Sequence, residues 1–138
     1  MVPALTIANN IVEATSDTAN LLNVRPPTSS YSEHHNLWYG GSSSPFYWNG
    51  SARTFVDYQG RSGQGANDPT LDPLLDAELV PSPGSPAIDA GATDVDASLE
   101  YLATCDGLFF HYCGTAPDLG SSELPALPSI GPPGPAKE

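Results

Sequence analysis

The chain is short of positive charge. Its 138 residues hold 4 lysines and arginines against 16 aspartates and glutamates, a net charge of −12. Charged residues make up only 14%, where about a quarter is usual. Without a cationic surface to displace phosphate counterions, the chain is not built to hold nucleic acid. An anionic polysaccharide would be repelled unless a metal bridged the charges. A neutral glycan, or a cation such as Ca²⁺, suits the field better; acidity that serves only solubility is the plainer reading. Cysteine is scarce as well: Cys105 and Cys113 alone. One close pair in a Ser/Thr-rich chain poor in lysine suggests a disulfide and an oxidising compartment, with two unrelated buried thiols as the alternative. The spacing is not C-x₂-C and no histidine pair completes it, which argues against a zinc site. No run approaches the roughly 20 apolar residues of a membrane span. The N-terminal Met1-Val2-Pro3-Ala4-Leu5-Thr6-Ile7 has neither a basic region nor a long apolar core, so it does not read as a signal peptide. The expectation is a chain that begins part-way through something longer.

What is plentiful is turn material. Thirteen glycines and 15 prolines rule out long helices, because proline removes a donor and glycine costs backbone entropy. Such a chain suits short strands joined by many turns. Residues 4–13 read as a strand around Leu5, Ile7, Ile11 and Val12. A second run, Asn20-Leu21-Leu22-Asn23-Val24, stops at Pro26-Pro27, and a third is Asn36-Leu37-Trp38-Tyr39. After the loop Gly40-Gly41-Ser42-Ser43-Ser44-Pro45, Phe46-Tyr47-Trp48 returns to a strand, and Asn49-Gly50 is a strong turn signal. Thr54 to Tyr58 fits a short strand or the start of a short helix, and Gly60 to Asp68 reads as loop. Asn-led runs begin near residues 9, 20 and 36. Their spacing is irregular, yet it accommodates a β-solenoid of roughly 20–25 residues per coil. At the bends, Asn9, Asn10 and Asn36 are expected to satisfy backbone groups that the turns leave unpaired.

From residue 69 prolines alternate with apolar anchors, as in Asp72-Pro73-Leu74-Leu75 and Pro83-Gly84-Ser85-Pro86-Ala87-Ile88-Asp89-Ala90-Gly91, before Ala116-Pro117-Asp118-Leu119-Gly120-Ser121-Ser122-Glu123. This series closely resembles the C-terminal end of bacterial right-handed parallel β-helix proteins of the pectin-lyase-like superfamily. His35-Asn36-Leu37-Trp38-Tyr39 and Pro45-Phe46-Tyr47-Trp48-Asn49-Gly50 also resemble the last coils of such proteins. The resemblance spans roughly residues 5–123. It departs at Leu119-Gly120-Ser121-Ser122-Glu123, which lacks the usual aromatic before Glu, and at the Cys105–Cys113 insertion carrying Phe109, Phe110 and Tyr112. It implies an all-β fold: terminal coils of a right-handed parallel β-helix over residues 1–68 and a Pro-rich capping segment over 69–123. The tail over 124–138, Pro-rich without aromatics, reads on its own composition as a disordered end or a linker. It also implies a secreted or cell-surface protein that acts on or binds carbohydrate, without choosing among lyase, hydrolase, epimerase and adhesin. The upstream coils of a longer parent are then partners of this chain. In the cap, proline cannot extend the sheet, while Leu74, Leu75, Leu79, Val80, Ile88 and Leu119 are expected to cover the exposed core. Asp89, two before Gly91, fits a tight turn whose carboxylate accepts backbone N–H bonds.

Candidate chemistry is thin. Glu33-His34-His35 is the one histidine cluster, but neighbours in a strand point to opposite faces and cannot easily share a metal. His111 is expected to pack inside the cysteine loop. Asp94-Val95-Asp96-Ala97-Ser98-Leu99-Glu100 alternates oxygens as calcium loops do, without the sixth-position Gly or twelfth-position Glu of an EF-hand; a solvated acidic turn is the better reading, and no other cofactor is called for. Trp38, Tyr39, Tyr47 and Trp48 flank the Gly/Ser loop and are the candidate sugar-stacking residues, against the plainer alternative of packing on the next coil. Asp57, Asp68 and Asp72 supply carboxylates of the kind glycoside hydrolysis needs, though acids this common do not locate a site. No nucleophile elbow, phosphate loop or zinc motif occurs. The sequon Asn49-Gly50-Ser51 is not expected to carry a glycan. The expectation is an end-piece that stabilises a carbohydrate-active or glycan-binding domain, with the alternative that its aromatic loop contributes substrate contacts to a polysaccharide lyase or glycoside hydrolase.

Overall fold

The computed structural model describes residues 5–25, 31–93 and 114–120, together with the backbone of two short strands, 103–105 and 108–110. The calcium-loop candidate at 94–100, His111, Cys113 and hence the proposed disulfide, and the tail at 124–138 lie outside these residues. The described part is strand-rich with a single helix, and its sheets are small, some parallel and some antiparallel.

The β-branched and aromatic residues that favour a pleated surface form β1 (Leu5–Ala8), β2 (Ile11–Ala14) and β3 (Leu22–Val24). They then form β4 (Tyr31–His34), β5 (Leu37–Gly40) and β6 (Phe46–Trp48). The second set lies parallel to the first. Leu5 sits opposite Tyr31 and Ile11 opposite Leu37, each 26 positions on, and Leu22 opposite Phe46, 24 positions on.

The parallel pairing then ends. Asn49 (φ 49°) and Gly50 (φ 81°) are both left-handed, the geometry of the two-residue hairpin turn that Asn-Gly favours. The chain reverses into β7 (Ser51–Arg53), antiparallel to β6. Helix α1 (Phe55–Ser62) follows. Thr54 caps it, its hydroxyl accepting the Asp57 N–H at 3.2 Å. It stops at Gly63, whose left-handed backbone returns its N–H to the Gln59 carbonyl. Of the two expectations for Thr54–Tyr58, the helix is the one realised, because Thr54 and Gly63 supply the end groups a short helix needs. Residues 64–69 then run along β4 and β5. The Gly65 N–H donates to the Glu33 carbonyl at 2.9 Å, the His35 N–H to Ala66 at 2.9 Å, and the Trp38 N–H to Pro69 at 3.1 Å. The two short strands, β8 (Ala103–Cys105) and β9 (Leu108–Phe110), pair with each other antiparallel.

Neighbours in a strand face opposite ways, and both faces of β5 are buried. Trp38 packs with Phe46 and Tyr58, joined by Val12, Leu22, Trp48 and Phe55. Phe46 stacks on Tyr58 at a centroid separation of 4.9 Å and meets Trp38 edge-on at 5.3 Å. On the other face Leu37 packs with Ala87 and Leu119, against Ile11, Tyr39 and Ala90. The Pro-rich segment thus lies on the outer face of β2 and β5, and the strand edges on the β4–β6 side are met by β7 and residues 64–69. Its anchors are also not all those expected. Leu119 is fully buried, whereas Leu79 and Leu74 stay exposed at 71% and 44%. Both leucines sit at positive φ, in turns that lift their side chains off the surface, and Pro73, Pro81 and Ala87 take the buried positions.

Hydrogen bonds hold this segment together and tie it to the β1–β2 bend. Asp89, itself left-handed at φ 54°, accepts the N–H groups of Thr115 at 2.8 Å and Ala116 at 3.2 Å, and donates its own N–H to Asp118 Oδ1 at 2.8 Å. The carboxylate does accept backbone N–H bonds, but from residues far along the chain and not from its own turn. Gly91 donates to the Pro117 carbonyl and Gly120 to that of Asn9. The Asn9 amide bonds both the N–H and the carbonyl of Ala92.

Candidate functional site

The bend between β1 and β2 and the bend between β4 and β5 lie one above the other. Asn9 (φ 60°) and His35 (φ 53°) take the same left-handed turn, and Asn67 (φ 59°) repeats it beside Ala66. Asparagine tolerates that region better than most residues. The Asn9 N–H donates to the His35 carbonyl at 2.8 Å.

The next residues of each bend form a ladder. Asn10 donates its N–H to Asn36 Oδ1 at 3.1 Å, and Asn36 donates its N–H to Asp68 Oδ1 at 2.8 Å. Asn36 is fully buried. Its Nδ2 contacts the carbonyls of Ile7 and His34 at 2.9 and 3.0 Å, and Glu33 Oε1 at 2.7 Å. The asparagines thus do what their sequence positions led us to expect.

Glu33 is the unexpected member. It is 1% exposed, on the inward face of β4 with Tyr31. Tyr58 Oη donates to Glu33 Oε2 at 3.2 Å and touches Tyr31 Oη at 3.3 Å. Asp68 accepts the Trp38 indole N–H at 2.6 Å, and Asn36 bridges it to Glu33. Two carboxyl groups therefore flank Asn36 at the bend. The arginines of the described helix and hairpin are engaged elsewhere: Arg53 and Arg61 both bind Asp57, at 2.8 and 2.7 Å. Burial first, and then the adjoining Asp68, push the Glu33 carboxyl up to about 8, while Asn36 and Tyr58 pull less strongly the other way. Burial, with Tyr31 and Glu33 beside it, holds the Tyr58 phenol above its usual range. Arg61, then Arg53, lower the Asp57 carboxyl. Glu33 is sealed from solvent and cannot hand a proton to a substrate.

The sequence-derived candidates do not assemble. Trp38 requires correction as a sugar-stacking residue: it is 3% exposed, enclosed by Phe46 and Tyr58, with its indole N–H spent on Asp68. Strand alternation sends Tyr39 to the opposite face, against the Leu37 cluster. Trp48 packs into the Trp38 cluster, with the Arg53 guanidinium 5.6 Å from its ring centre. Tyr47 points away from its neighbour Phe46 and is half-buried. The three acids are likewise apart in role: Asp57 serves the two arginines, Asp72 accepts the Leu74 N–H at 2.8 Å in its own turn, and Asp68 accepts from Asn36 and Trp38. His34 and His35 come together where strand alternation would part them. The left-handed turn at His35 breaks the alternation, leaving the two Nδ1 atoms 2.9 Å apart. Among the described residues no group of three His, Cys, Asp or Glu is placed to hold a metal ion.

An open depression of about 640 Å³ lies between this bend and the outer segment, with His35, Gln59, Asn67, Asp68 and Asp89 on its walls. Glu33 is legible in sequence only through the period of two, which puts it on the face of Tyr31. Asp68 sits in an apparent loop, and no local pattern joins the two. No helix of the described residues is long and apolar enough to cross a membrane. Compared with protein-family models, curated proteins and solved structures, the chain matches none.

Proposed function

We propose that this chain is the closing end of a right-handed parallel β-helix of the pectin-lyase-like kind, secreted or at the cell surface. There it stabilises a domain that acts on or binds neutral carbohydrate, whose substrate-contacting coils lie upstream. The observation that carries this reading is the parallel pairing of β1, β2 and β3 with β4, β5 and β6 at offsets of 26, 26 and 24 positions, followed at once by an antiparallel turn-back. A near-constant offset in three successive pairs is what a coiled solenoid requires, since each coil covers its neighbour. An antiparallel β7 on the last strand, with 64–69 along β4 and β5, is what ending one requires, since an open strand edge invites pairing with other chains. The handedness, the location and the carbohydrate are supplied by the resemblance of the PGSPAIDAG stretch, residues 83–91. The low positive charge favours a neutral glycan over an acidic one.

The test is deletion of this chain from its full-length parent. Loss of the parent's soluble, folded state, with glycan binding or turnover lost along with it, is the expected result. A parent that keeps its melting temperature and stays monomeric without these residues would refute the end-piece role.

A further inference from the structure

We propose that Asn49-Gly50 is a site of spontaneous covalent change: when the β6–β7 turn opens, the Gly50 nitrogen closes on the Asn49 amide carbon, and the isoaspartate that follows keeps the turn from re-forming. Asn49 is the one asparagine of the chain followed by glycine, so no side chain at the next position hinders the attacking nitrogen. Both residues are exposed, and a Cβ placed on Gly50 would meet nothing within 4 Å. The Asn49 side chain has no hydrogen-bond partner among the described residues. The asparagines of the bends are held instead, Asn9 to the N–H and carbonyl of Ala92, Asn10 and Asn36 to each other.

Water is the only co-reactant. Water or hydroxide takes the Gly50 amide proton as that nitrogen bonds Asn49 Cγ. The Cγ–Nδ2 bond breaks, ammonia leaves, and a five-membered imide joins residues 49 and 50. A second water opens the ring at either carbonyl. Opening at Cγ leaves aspartate on an unchanged main chain. Opening at the α-carbonyl leaves isoaspartate, whose main chain runs through Cβ and Cγ and is one atom longer.

The closed turn holds this reaction back. Asn49 is left-handed at φ 49°, and in that conformation the next nitrogen lies across Cα from the side chain, out of reach of Cγ. Attack waits for the turn to open. The two products then differ in what they allow. Asp-Gly suits a two-residue hairpin turn as Asn-Gly does, so aspartate lets β7 return. The longer main chain of isoaspartate does not fit a turn whose dihedrals are set by the twist of the flanking strands. Strand β7 stays off β6, and the bared edge of β6 is open to pairing with another chain.

The experiment ages the full chain at mildly alkaline pH, folded and in urea, and follows amide-to-acid conversion at each asparagine by peptide mass mapping. Conversion should come first at Asn49, and about tenfold or more slower in the folded chain than in urea, because only the locally opened turn reacts. The isoaspartate form, separated from unconverted chain, should lose amide protection at Arg53 and self-associate. Freshly made Asn49→Asp carries the new charge without the new backbone and should keep Arg53 protected. Asn49→Gly suits the turn, has no amide to lose, and should keep Arg53 protected throughout ageing. Earlier conversion at another asparagine, equal rates folded and in urea, or an isoaspartate form with Arg53 still protected would each overturn the proposal. Lost protection in fresh Asn49→Asp or in aged Asn49→Gly would do the same. The wild-type rates and the isoaspartate form decide the matter even if a variant fails to fold.

Discussion

Asn36 shows how one residue can hold two bends and a loop together. Fully buried, it bonds β1 through Ile7, β4 through His34 and Glu33, and residues 64–69 through its N–H to Asp68. Removing the amide would leave buried carbonyls and the Asn10 N–H without a partner, and each such orphan costs about 1–3 kcal/mol. Asn36→Ala should therefore lower stability in urea unfolding by about 3 kcal/mol or more, whereas Asn23→Ala, at an exposed strand position, should stay within about 0.5 kcal/mol. Gly40 is fixed differently. At φ 77° a Cβ would collide with the Ala14 carbonyl, so Gly40→Ala should unpair the end of β5 from β2, seen as lost amide protection at Gly41.

At the scale of elements, the hairpin and the helix decide where parallel pairing stops. Both depend on local chemistry. The Asn49-Gly50 turn needs two left-handed residues, and Gly50 has open space around it, so only its backbone conformation constrains the position. Gly50→Val should cost about 1–3 kcal/mol through backbone strain and release β7, with faster exchange at Arg53 and exposure of the β6 edge as self-association. Thr54→Ala removes the helix cap and should cost about 1 kcal/mol. If circular dichroism and melting are unchanged in that variant, the cap is not what starts α1.

For the whole molecule, the outer segment and the strands β2 and β5 stand or fall together, because Leu119 and Ala87 pack on Leu37 and Ile11. Leu119→Ala should cost about 2–5 kcal/mol, and Leu79→Ala, at an exposed site, within about 0.5 kcal/mol. A reversal of that order would mean that the segment does not pack as described. The net charge of −12 and the buried Glu33 carboxyl, raised to about 8 chiefly by burial, act in the same direction, since self-repulsion and the cost of ionising Glu33 both grow with pH. The melting temperature should thus be higher near pH 5.5 than near pH 8.5, and Glu33→Gln should narrow the difference.

Several turns, strands and bends were legible in the sequence because their chemistry is local, though the single strand expected over 4–13 is broken at Asn9-Asn10 into β1 and β2, and β4 and β7 were not foreseen. Asn-Gly reverses a chain wherever it stands, alternating apolar residues make a strand, and asparagines mark the bends. Proline density announced that residues after 69 would not join a sheet interior, and the Leu119 anchor could be named in advance. The tertiary structure alone decided which of these pieces meet. Sequence cannot show that Trp38 faces inward, since Trp38 and Tyr39 are equally apolar and alternation leaves the choice of face open. Nor can it show that Asp68, in an apparent loop, would be joined to Glu33 through Asn36. That meeting depends on α1 carrying the chain back across β4.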